Sequence, residues 1–203
     1  MDTTLHDAIY TRQSVRRFRD TPVPEAVCEA LLAAAAQAPS PHGRQPWRFV
    51  VIGAGTPRVR LCDAMSAEWQ AQLGSDGSDA AVIATRVAAS RARITTAPLL
   101  FLPCVDLSVL DSYPDAPRQQ AEYLMAVQSI GCAIQNLLLT AVAHGLDGGW
   151  MCAPLFCRDV VTSVFALDPQ WVPQALIPVG YMAQAPVRRP KRTGTDLRWN
   201  IND

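Results

Sequence analysis

Residues 118–144, RQQAEYLMAVQSIGCAIQNLLLTAVAH, contain no charged side chain between Tyr123 and Ala143. His144 and Gly145, which follow the apolar run, are typical of a helix C-terminus. Polar side chains interrupt the run and no aromatic belt or basic flank follows it, so a buried helix is favoured over a membrane span. The stretch therefore predicts one long core helix against which the other elements pack.

Shorter elements are expected on both sides of this helix. Residues 24–38, PEAVCEALLAAAAQA, repeat apolar side chains at i, i+3, i+4 and i+7, which predicts an amphipathic helix. Further helices are predicted over 4–12, 57–73, 79–91 and 158–165. Strands are predicted over Trp47–Ile52, Pro98–Val105, Trp150–Cys152 and Gln174–Tyr181. This mixture favours an α/β or α+β fold with a small sheet.

Composition and charge exclude several classes of protein. The chain has 203 residues with 49% hydrophobic and 18% charged side chains, which suits a single folded domain over residues 1–203. Lys plus Arg equals Asp plus Glu at 18 each, so neither a nucleic-acid-binding protein nor a polybasic membrane-surface protein is expected. The six cysteines show no metal-binding spacing and the start has no signal-peptide core, which favours a reducing, cytoplasmic location.

The segment Thr11–Phe18, TRQSVRRF, concentrates guanidinium groups after the first predicted helix. Arg12 and Arg16 have the fork geometry that grips a phosphate bidentately, and Ser14 would add a donor. Taken alone, however, the segment is more simply interpreted as a solvated, charged turn. A second basic cluster, Arg188, Arg189, Lys191 and Arg192, is either a surface tail or a further phosphate contact.

Two loops could carry a binding site. Residues 38–47, APSPHGRQPW, form a proline-stiffened connection in which His42 reads more simply as a loop residue than as a catalyst. Residues 145–152, GLDGGWMC, contain glycines that allow the backbone to approach a ligand, although a tight helix-to-strand turn explains them as well. Cys152 has no visible activating base, so a nucleophilic role is not expected.

Several common chemistries lack their motifs. The sequence has no GxGxxG after a strand, no Walker loop, no GxSxG elbow and no HExxH. The three histidines, His6, His42 and His144, do not have the spacing of a metal site, so no metal is expected. Hydrolytic and metal-assisted reactions are therefore poorly supported.

Taken in chain order, three segments resemble the nitroreductase family of FMN-dependent oxidoreductases. They are TRQSVRRFRDTPVPEAV (11–27), LLAAAAQAPSPHGRQPWRFVVI (31–52) and CAIQNLLLTAVAHGLDGGW (132–150). The resemblance extends from about Ile9 to Arg192. It implies an α+β fold with a central, mostly antiparallel sheet wrapped by helices. It also implies an intertwined homodimer with FMN bound at the subunit interface, and a C-terminal extension over 183–203.

The resemblance also implies positions for the cofactor. Arg12, Gln13, Ser14 and Arg16 match positions that hold the FMN phosphate and ribityl chain, and Arg189 and Arg192 match a second phosphate contact. Pro39 and Ser40 match positions under the isoalloxazine ring. Trp150, Met151, Cys152 and Ala153 match the strand whose backbone N–H reaches the flavin N5. Many members have Asn in place of Gly43, which leaves open whether His42 or Arg44 replaces that contact or whether it is lost.

The implied activity is electron transfer from NAD(P)H through FMN to a small organic acceptor, with the flavin and no side chain carrying the chemistry. PSPHGRQPWRF, YPDAPRQQAEYLM and APLFCRDVV are similar to the FMN domain fused to the gamma-glutamyl ligase of a deazaflavin coenzyme. A deazaflavin precursor is therefore one expected acceptor, with Arg86 and Arg91, and Arg93 nearby, on the segment expected to cover the site. A flavin-fragmenting enzyme and a non-catalytic flavin- or deazaflavin-binding protein stay open as alternatives.

Overall fold

A computed structural model describes residues 3–188 and 190–199. Its helices are α1 (Leu5–Thr11), α2 (Glu25–Ala35), α3 (Thr56–Ser75), α4 (Ala80–Thr95), α5 (Ala116–Ala143), α6 (Arg158–Phe165) and α7 (Gly194–Leu197). Its strands are β1 (Trp47–Val51), β2 (Leu99–Asp106), β3 (Asp147–Gly148), β4 (Trp171–Pro173) and β5 (Ile177–Gly180). Short 3₁₀ turns cover Pro41–Gly43, Leu107–Val109 and Ala153–Phe156.

The five strands form one sheet with β2 at its centre. Its order is β1-β2-β5-β3, and β4 pairs with the far end of β2. Every pairing between these strands is antiparallel, with Trp47 opposite Val105 in β1–β2 and Phe101 opposite Ile177 in β2–β5. The α+β class with a mostly antiparallel sheet is thereby confirmed.

Helices cover both faces of the sheet, and β2 divides its side chains between them. Phe101 and Val105 pack in the cluster that contains α2 and α5. Leu100, Leu102 and Cys104 pack in the opposite cluster with α3, α4 and α6. This alternation is the two-residue period of a strand that is buried on both faces.

The long helix α5 is the predicted core helix, extended at its N-terminus to Ala116. Asp115 caps it, because the Asp115 side chain accepts a hydrogen bond from the Arg118 N–H. By length and hydropathy α5 could cross a membrane. However, Ile134 and Leu137 on one face are fully buried against α2 and the sheet. The helix therefore packs as an element of the core.

Some of the predicted elements are displaced. The strand expected at Trp150–Cys152 lies earlier, at β3, where Gly148 pairs with Val179, while Met151 makes only an isolated bridge to Leu176. The prediction missed β4 and α7, which are three and four residues long and carry little periodic signal. Alternation cannot be recognised in a two-residue strand, so β3 is specified by tertiary pairing.

The cysteines divide by depth. Cys28, Cys62 and Cys104 are buried as core residues, whereas Cys132 and Cys152 are exposed. Burial raises the pKa of Cys62 to about 11 and that of Cys104 to about 12. These two thiols are therefore protonated and unreactive at neutral pH.

Arg58 on α3 is the largest fully buried side chain and has no carboxylate partner among the described residues. Its guanidinium donates to the carbonyl of Ile52, at 3.0 Å from Nη2 and 3.2 Å from Nε, and to the carbonyls of Ala97 and Pro98. These carbonyls lie just after β1 and just before β2. Arg58 thus ties α3 to the edge where those two strands meet.

Arg58→Met should lower the free energy of unfolding by roughly 3–5 kcal/mol, because three buried carbonyls lose their donor. Arg60→Met is the matched control on the same helix, since Arg60 is exposed and donates one bond, to the Val164 carbonyl. Its cost should stay below about 1 kcal/mol. Urea denaturation of both variants measures the difference, and equal costs would contradict this role for Arg58.

Candidate functional site

The segment after α1 docks on the short strand β3. Arg12 ends the helix, with its N–H donating to the Ala8 carbonyl at 3.0 Å. Ser14 then forms a parallel bridge with Gly148, and the Val15 N–H donates to the Gly148 carbonyl at 3.0 Å. Val15 is fully buried, whereas the neighbouring Ser14 and Arg16 are exposed. The pairing therefore fixes the backbone while it turns a hydroxyl and a guanidinium outward.

Gly149 permits this docking, because a Cβ there would lie 2.8 Å from the Val15 carbonyl oxygen. Gly148 is restricted by a different neighbour, since a Cβ there would lie 2.6 Å from Cδ2 of Leu138 on α5. Of the glycines predicted to allow close backbone approach, Gly149 therefore serves the approach of Val15.

A narrow cleft opens where this segment meets β5 and the turn after β3. It is lined by Ser14, Val15, Arg16, Arg93, Gly149, Trp150, Met151 and Pro178. Arg93, from the last turn of α4, is half-buried. Burial and the nearby Arg16 charge lower the pKa of Arg93. Within residues 3–188 and 190–199 neither guanidinium has a hydrogen-bond or ion-pair partner, so the cleft holds two uncompensated positive charges.

Along residues 149–152, backbone N–H groups that donate a hydrogen bond alternate with N–H groups that donate none. The Gly149 N–H donates to the Pro178 carbonyl and the Met151 N–H to the Leu176 carbonyl, each at 3.0 Å. In the described part of the chain, the N–H groups of Trp150 and Cys152 donate no hydrogen bond. The predicted donor stretch therefore has available amides on either side of Met151, whose own amide is occupied.

The C-terminal tail returns to the same end of α1. The Arg19 N–H donates to the Tyr181 carbonyl at 2.8 Å, and the Ala183 N–H to the Arg17 carbonyl at 3.0 Å. Arg188 then donates to the carbonyls of Tyr10 and Thr11, at 3.3 and 2.9 Å. Arg188 is thus the tail residue anchored beside Arg12.

The other predicted tail residues are placed differently. Arg192 is exposed and makes no contact with the cleft, and Arg189 lies outside the described residues. Gln13 lies in the docked segment, where its side chain reaches the Met182 sulfur at 3.4 Å. Arg91 forms an ion pair with Asp63, and Arg86 is exposed on α4, so neither lines the cleft.

The loop Pro39–Gln45 is held rigidly by its own hydrogen bonds. The Ser40 hydroxyl accepts from the Gln45 N–H at 3.0 Å, and the Arg44 N–H donates to the Pro41 carbonyl at 3.0 Å. His42 and Gln45 have φ values of 53° and 50°, a left-handed conformation that is costly for residues other than glycine. Such local strain persists only where the surroundings enforce it.

No hydrogen bond or ion pair in the described chain joins this loop to residues 12–16. Instead, Arg44 pairs with Asp111, which lines a groove of about 540 Å³ at the N-terminal end of α5. Pro39, Ser40 and His42 are therefore not brought to the cleft by contacts within one subunit. No sequence pattern indicates this groove, which is formed by residues from two loops and one helix face.

For two charged residues near the cleft, the sequence pattern does not indicate a role in a binding site. The sequence presents Arg93 only as one of three arginines on the segment expected to cover the site. Its place in the cleft lining arises from packing at the end of α4. Asp147 in β3 is half-buried, and its Oδ1 atom is enclosed with no hydrogen-bond partner among the described residues. Neither residue lies in a motif that spacing alone would reveal.

Comparison with known proteins identifies relatives across most of the chain. The family model described as Nitroreductase family matches residues 9–181. A curated relative from Methanothermobacter thermautotrophicus, provisionally named NADH dehydrogenase/NAD(P)H nitroreductase, is 28% identical over 190 residues. The match covers 90% of this chain and 80% of that relative.

Solved structures share the fold. A BluB-like flavoprotein from Clostridium difficile 630 is 23% identical, with a TM-score of 0.82 and coverage of 98% of this chain and 99% of that chain. A protein from Desulfovibrio desulfuricans, solved in complex with FMN, is 26% identical, with a TM-score of 0.73 and coverage of 100% and 99%. The cleft thus lies in a fold that binds FMN in that second protein.

Gly149→Ala should loosen the docked segment, because the new Cβ would collide with the Val15 carbonyl. We expect a loss of roughly 1–3 kcal/mol in unfolding free energy, typical of overpacking, and faster hydrogen exchange at the Val15 amide. Gly53→Ala is the control, since a Cβ there meets nothing within 4 Å. Thermal melting and NMR hydrogen exchange measure both effects; an unchanged Val15 exchange rate would show that the segment docks without this contact.

Proposed function

The chain belongs to the nitroreductase family, and on that basis we propose that it is an FMN-dependent oxidoreductase passing electrons from NAD(P)H to a small organic acceptor. The observation that carries the proposal is the cleft in which Arg16 and Arg93 face each other without a carboxylate. Two adjacent cations without a partner, of which Arg93 is partly desolvated, favour an anionic ligand. Bound FMN would accept hydride from NAD(P)H and release two electrons to the acceptor.

The donors around the cleft suit the phosphate end of FMN. Arg12 and Arg16 offer planar forks for bidentate hydrogen bonds, and the exposed Ser14 hydroxyl adds a neutral donor between them. Gln13 lies between Arg12 and Ser14, and its side chain donates to the Met182 sulfur. We propose that Arg188, already anchored beside Arg12, supplies the tail contact first expected from Arg189 or Arg192.

The available amides suit the ring end. In this proposal the N–H of Trp150 or Cys152 would donate to the flavin N5, with Met151 in the cleft wall and Ala153 directly after Cys152. Arg93 would stabilise negative charge on the ring, because its guanidinium is partly removed from water. No side-chain nucleophile is required, since the residues only bind, orient and exclude water.

We further propose a homodimer in which the partner's loop completes the site. Pro39, Ser40 and His42 belong to a rigid loop that no hydrogen bond or ion pair of the described residues joins to residues 12–16 of its own subunit, which supports delivery to another subunit. The helix α5 also leaves an uncharged, exposed stripe, consisting of Ala121, Leu124, Gln128, Cys132 and Gln135. An uncharged stripe on a long helix is suited to burial against a second copy.

The acceptor is the least constrained part of the proposal. The segment resemblances favour a deazaflavin precursor, an anionic planar molecule, and Arg86 on the exposed face of α4 could steer it. Arg91 contributes less positive charge, because it is paired with Asp63. We propose that the reaction takes place in the cytoplasm, a reducing compartment that suits the free cysteines of this chain.

Arg12→Ala should weaken FMN binding by roughly 10- to 150-fold, the effect of losing a charge-assisted hydrogen bond. Riboflavin, which lacks the phosphate, should bind the variant and the parent protein equally. Arg60→Ala, an exposed arginine on α3, is the charge-matched control and should bind both flavins normally. Fluorescence titration measures these affinities, and an unchanged FMN affinity would remove Arg12 from the phosphate site.

Anaerobic stopped-flow mixing tests the reaction. The FMN-loaded protein, reduced with NADPH or NADH, is mixed with a deazaflavin precursor or a nitroaromatic, and flavin absorbance is followed. We expect rapid reoxidation by the deazaflavin precursor; reoxidation by the nitroaromatic alone would instead indicate a general nitroreductase. Conversion of FMN to smaller products, detected by mass spectrometry, would support the flavin-fragmenting alternative, and tight binding without electron transfer would support the binding-protein alternative.

A further inference from the structure

The loop Pro39–Gln45 keeps its strained conformation without support from the core. None of its side chains is buried, although His42 and Gln45 have left-handed φ values of 53° and 50°. A hydrogen bond from the Gln45 N–H to the Ser40 hydroxyl, at 3.0 Å, closes the turn on itself. Bonds within the loop give it a shape, but they do not determine where the loop lies against the rest of the subunit.

One ion pair attaches this loop to another element. Arg44 pairs with Asp111, which lies in the segment that leads into α5. Among residues 3–188 and 190–199, this is the only hydrogen bond or ion pair that a side chain of residues 39–45 makes outside the loop. Strain of the kind seen here persists only where the surroundings enforce it. The Arg44–Asp111 pair is therefore the contact that can set the position of the loop.

Asp111 is itself held at a fixed place beside α5. Its N–H donates to the Glu122 carboxylate at 3.3 Å, and its carbonyl accepts from the Gln119 side-chain amide at 3.3 Å. The same Gln119 side chain accepts from the Tyr113 N–H at 2.9 Å, so two points of the segment are fastened to the helix. These contacts use the backbone of Asp111 and leave its carboxylate for Arg44.

The burial of Glu122 supports this role for Asp111. Glu122 is only 2% exposed, and its Oε2 atom is enclosed without a hydrogen-bond partner in the described part of the chain. A buried carboxylate that is only partly satisfied lowers the free energy of unfolding. The one hydrogen bond that the described residues give it comes from the Asp111 N–H. The fold thus retains an unfavourable buried charge at the point where Asp111 is fixed.

We propose that Asp111 is a positioning residue: through Arg44 it holds the strained loop in the orientation that presents Ser40 and His42 to a flavin bound in the cleft of the partner subunit. The proposal rests on the proposed function, because it assumes that the loop completes a flavin site. Asp111 acts through Arg44 and does not touch the ligand. Without this ion pair the loop is in its binding orientation for a smaller fraction of the time, and flavin affinity falls in proportion to that fraction.

The test uses Asp111→Ala, which removes the carboxylate and leaves the backbone hydrogen bonds at this position in place. In the unliganded variant the Gln45 amide should exchange with solvent faster, as measured by NMR. Affinities for FMN and riboflavin should fall by the same factor, roughly two- to fivefold, the range that corresponds to an exposed ion pair. Both flavins carry the ring, so this equal loss differs from that of Arg12→Ala, which is selective for FMN.

Further variants separate a role in positioning from a general loss of stability. Arg44→Met should reproduce both effects, and combining it with Asp111→Ala should weaken flavin binding no further. Asp111→Glu, which restores the carboxylate, should recover most of the affinity. Asp63→Ala is the matched control, because it removes an ion pair of the same kind between α3 and α4, with Arg91. It should change neither the exchange rate of Gln45 nor the affinity for either flavin.

The two proposals fail in different ways. If the parent protein binds neither FMN nor riboflavin, the proposed function is wrong and the role of Asp111 is lost with it. If the parent protein binds both and Asp111→Ala binds them equally well, only the positioning role is wrong. A loss of affinity for Arg44→Met alone would also overturn that role, because Arg44 would then contact the flavin itself. If Asp111→Ala does not fold, Asp111→Asn takes its place in the same measurements.

Discussion

The close approach of the Val15 carbonyl to Gly149 is the contact on which the candidate site depends. It brings the segment after α1 to the edge of the sheet and leaves no room for a side chain at Gly149. Three consequences follow from one backbone position. Ser14 and Arg16 line the cleft, the Val15 N–H donates to the Gly148 carbonyl, and the tail can pair with residues 17–19 and return Arg188 to α1. The site is thus a product of sheet-edge geometry more than of any single loop.

Two arginines of this chain show how the surrounding acceptors distinguish a structural arginine from a candidate binding arginine. Arg58 is fully enclosed, and backbone carbonyls at the ends of β1 and β2 accept its donors. Arg93 is only half-buried, faces a second guanidinium and has no acceptor in the described residues. A cation whose donors are satisfied holds a fold together, whereas a cation held in place without acceptors is prepared for a ligand. Both residues are arginines, so the acceptors around each guanidinium decide whether it is satisfied by the fold or available to a ligand.

The sequence was sufficient where periodic signals were long. Residues 118–144 predicted α5, and the apolar run Pro98–Val105 predicted β2, because many neighbouring side chains there share one environment. The predicted strand at Trp150–Cys152 was misplaced, since β3 is two residues long and is specified by its pairing with β5 and Ser14. Local spacing selects Arg12, Ser14 and Arg16 as candidates, and Ser14 and Arg16 line the cleft. Local spacing does not distinguish Arg93 from the other arginines of its segment, because its place in the cleft depends on which distant residues lie beside it.

The separation of the rigid loop Pro39–Gln45 from the cleft gives the proposed dimer a physical reason. Strained φ values at His42 and Gln45 are costly, and a folded chain retains such strain where a fixed shape is useful. In a single subunit that shape is directed at no described part of the cleft, and Arg44 anchors it instead to Asp111 beside α5. If α5 pairs with a second copy through its uncharged stripe, the Arg44–Asp111 ion pair anchors the loop beside the helix that forms the interface. Cofactor binding and dimerisation would then be linked, because each loop is fixed by its own subunit and used by the other.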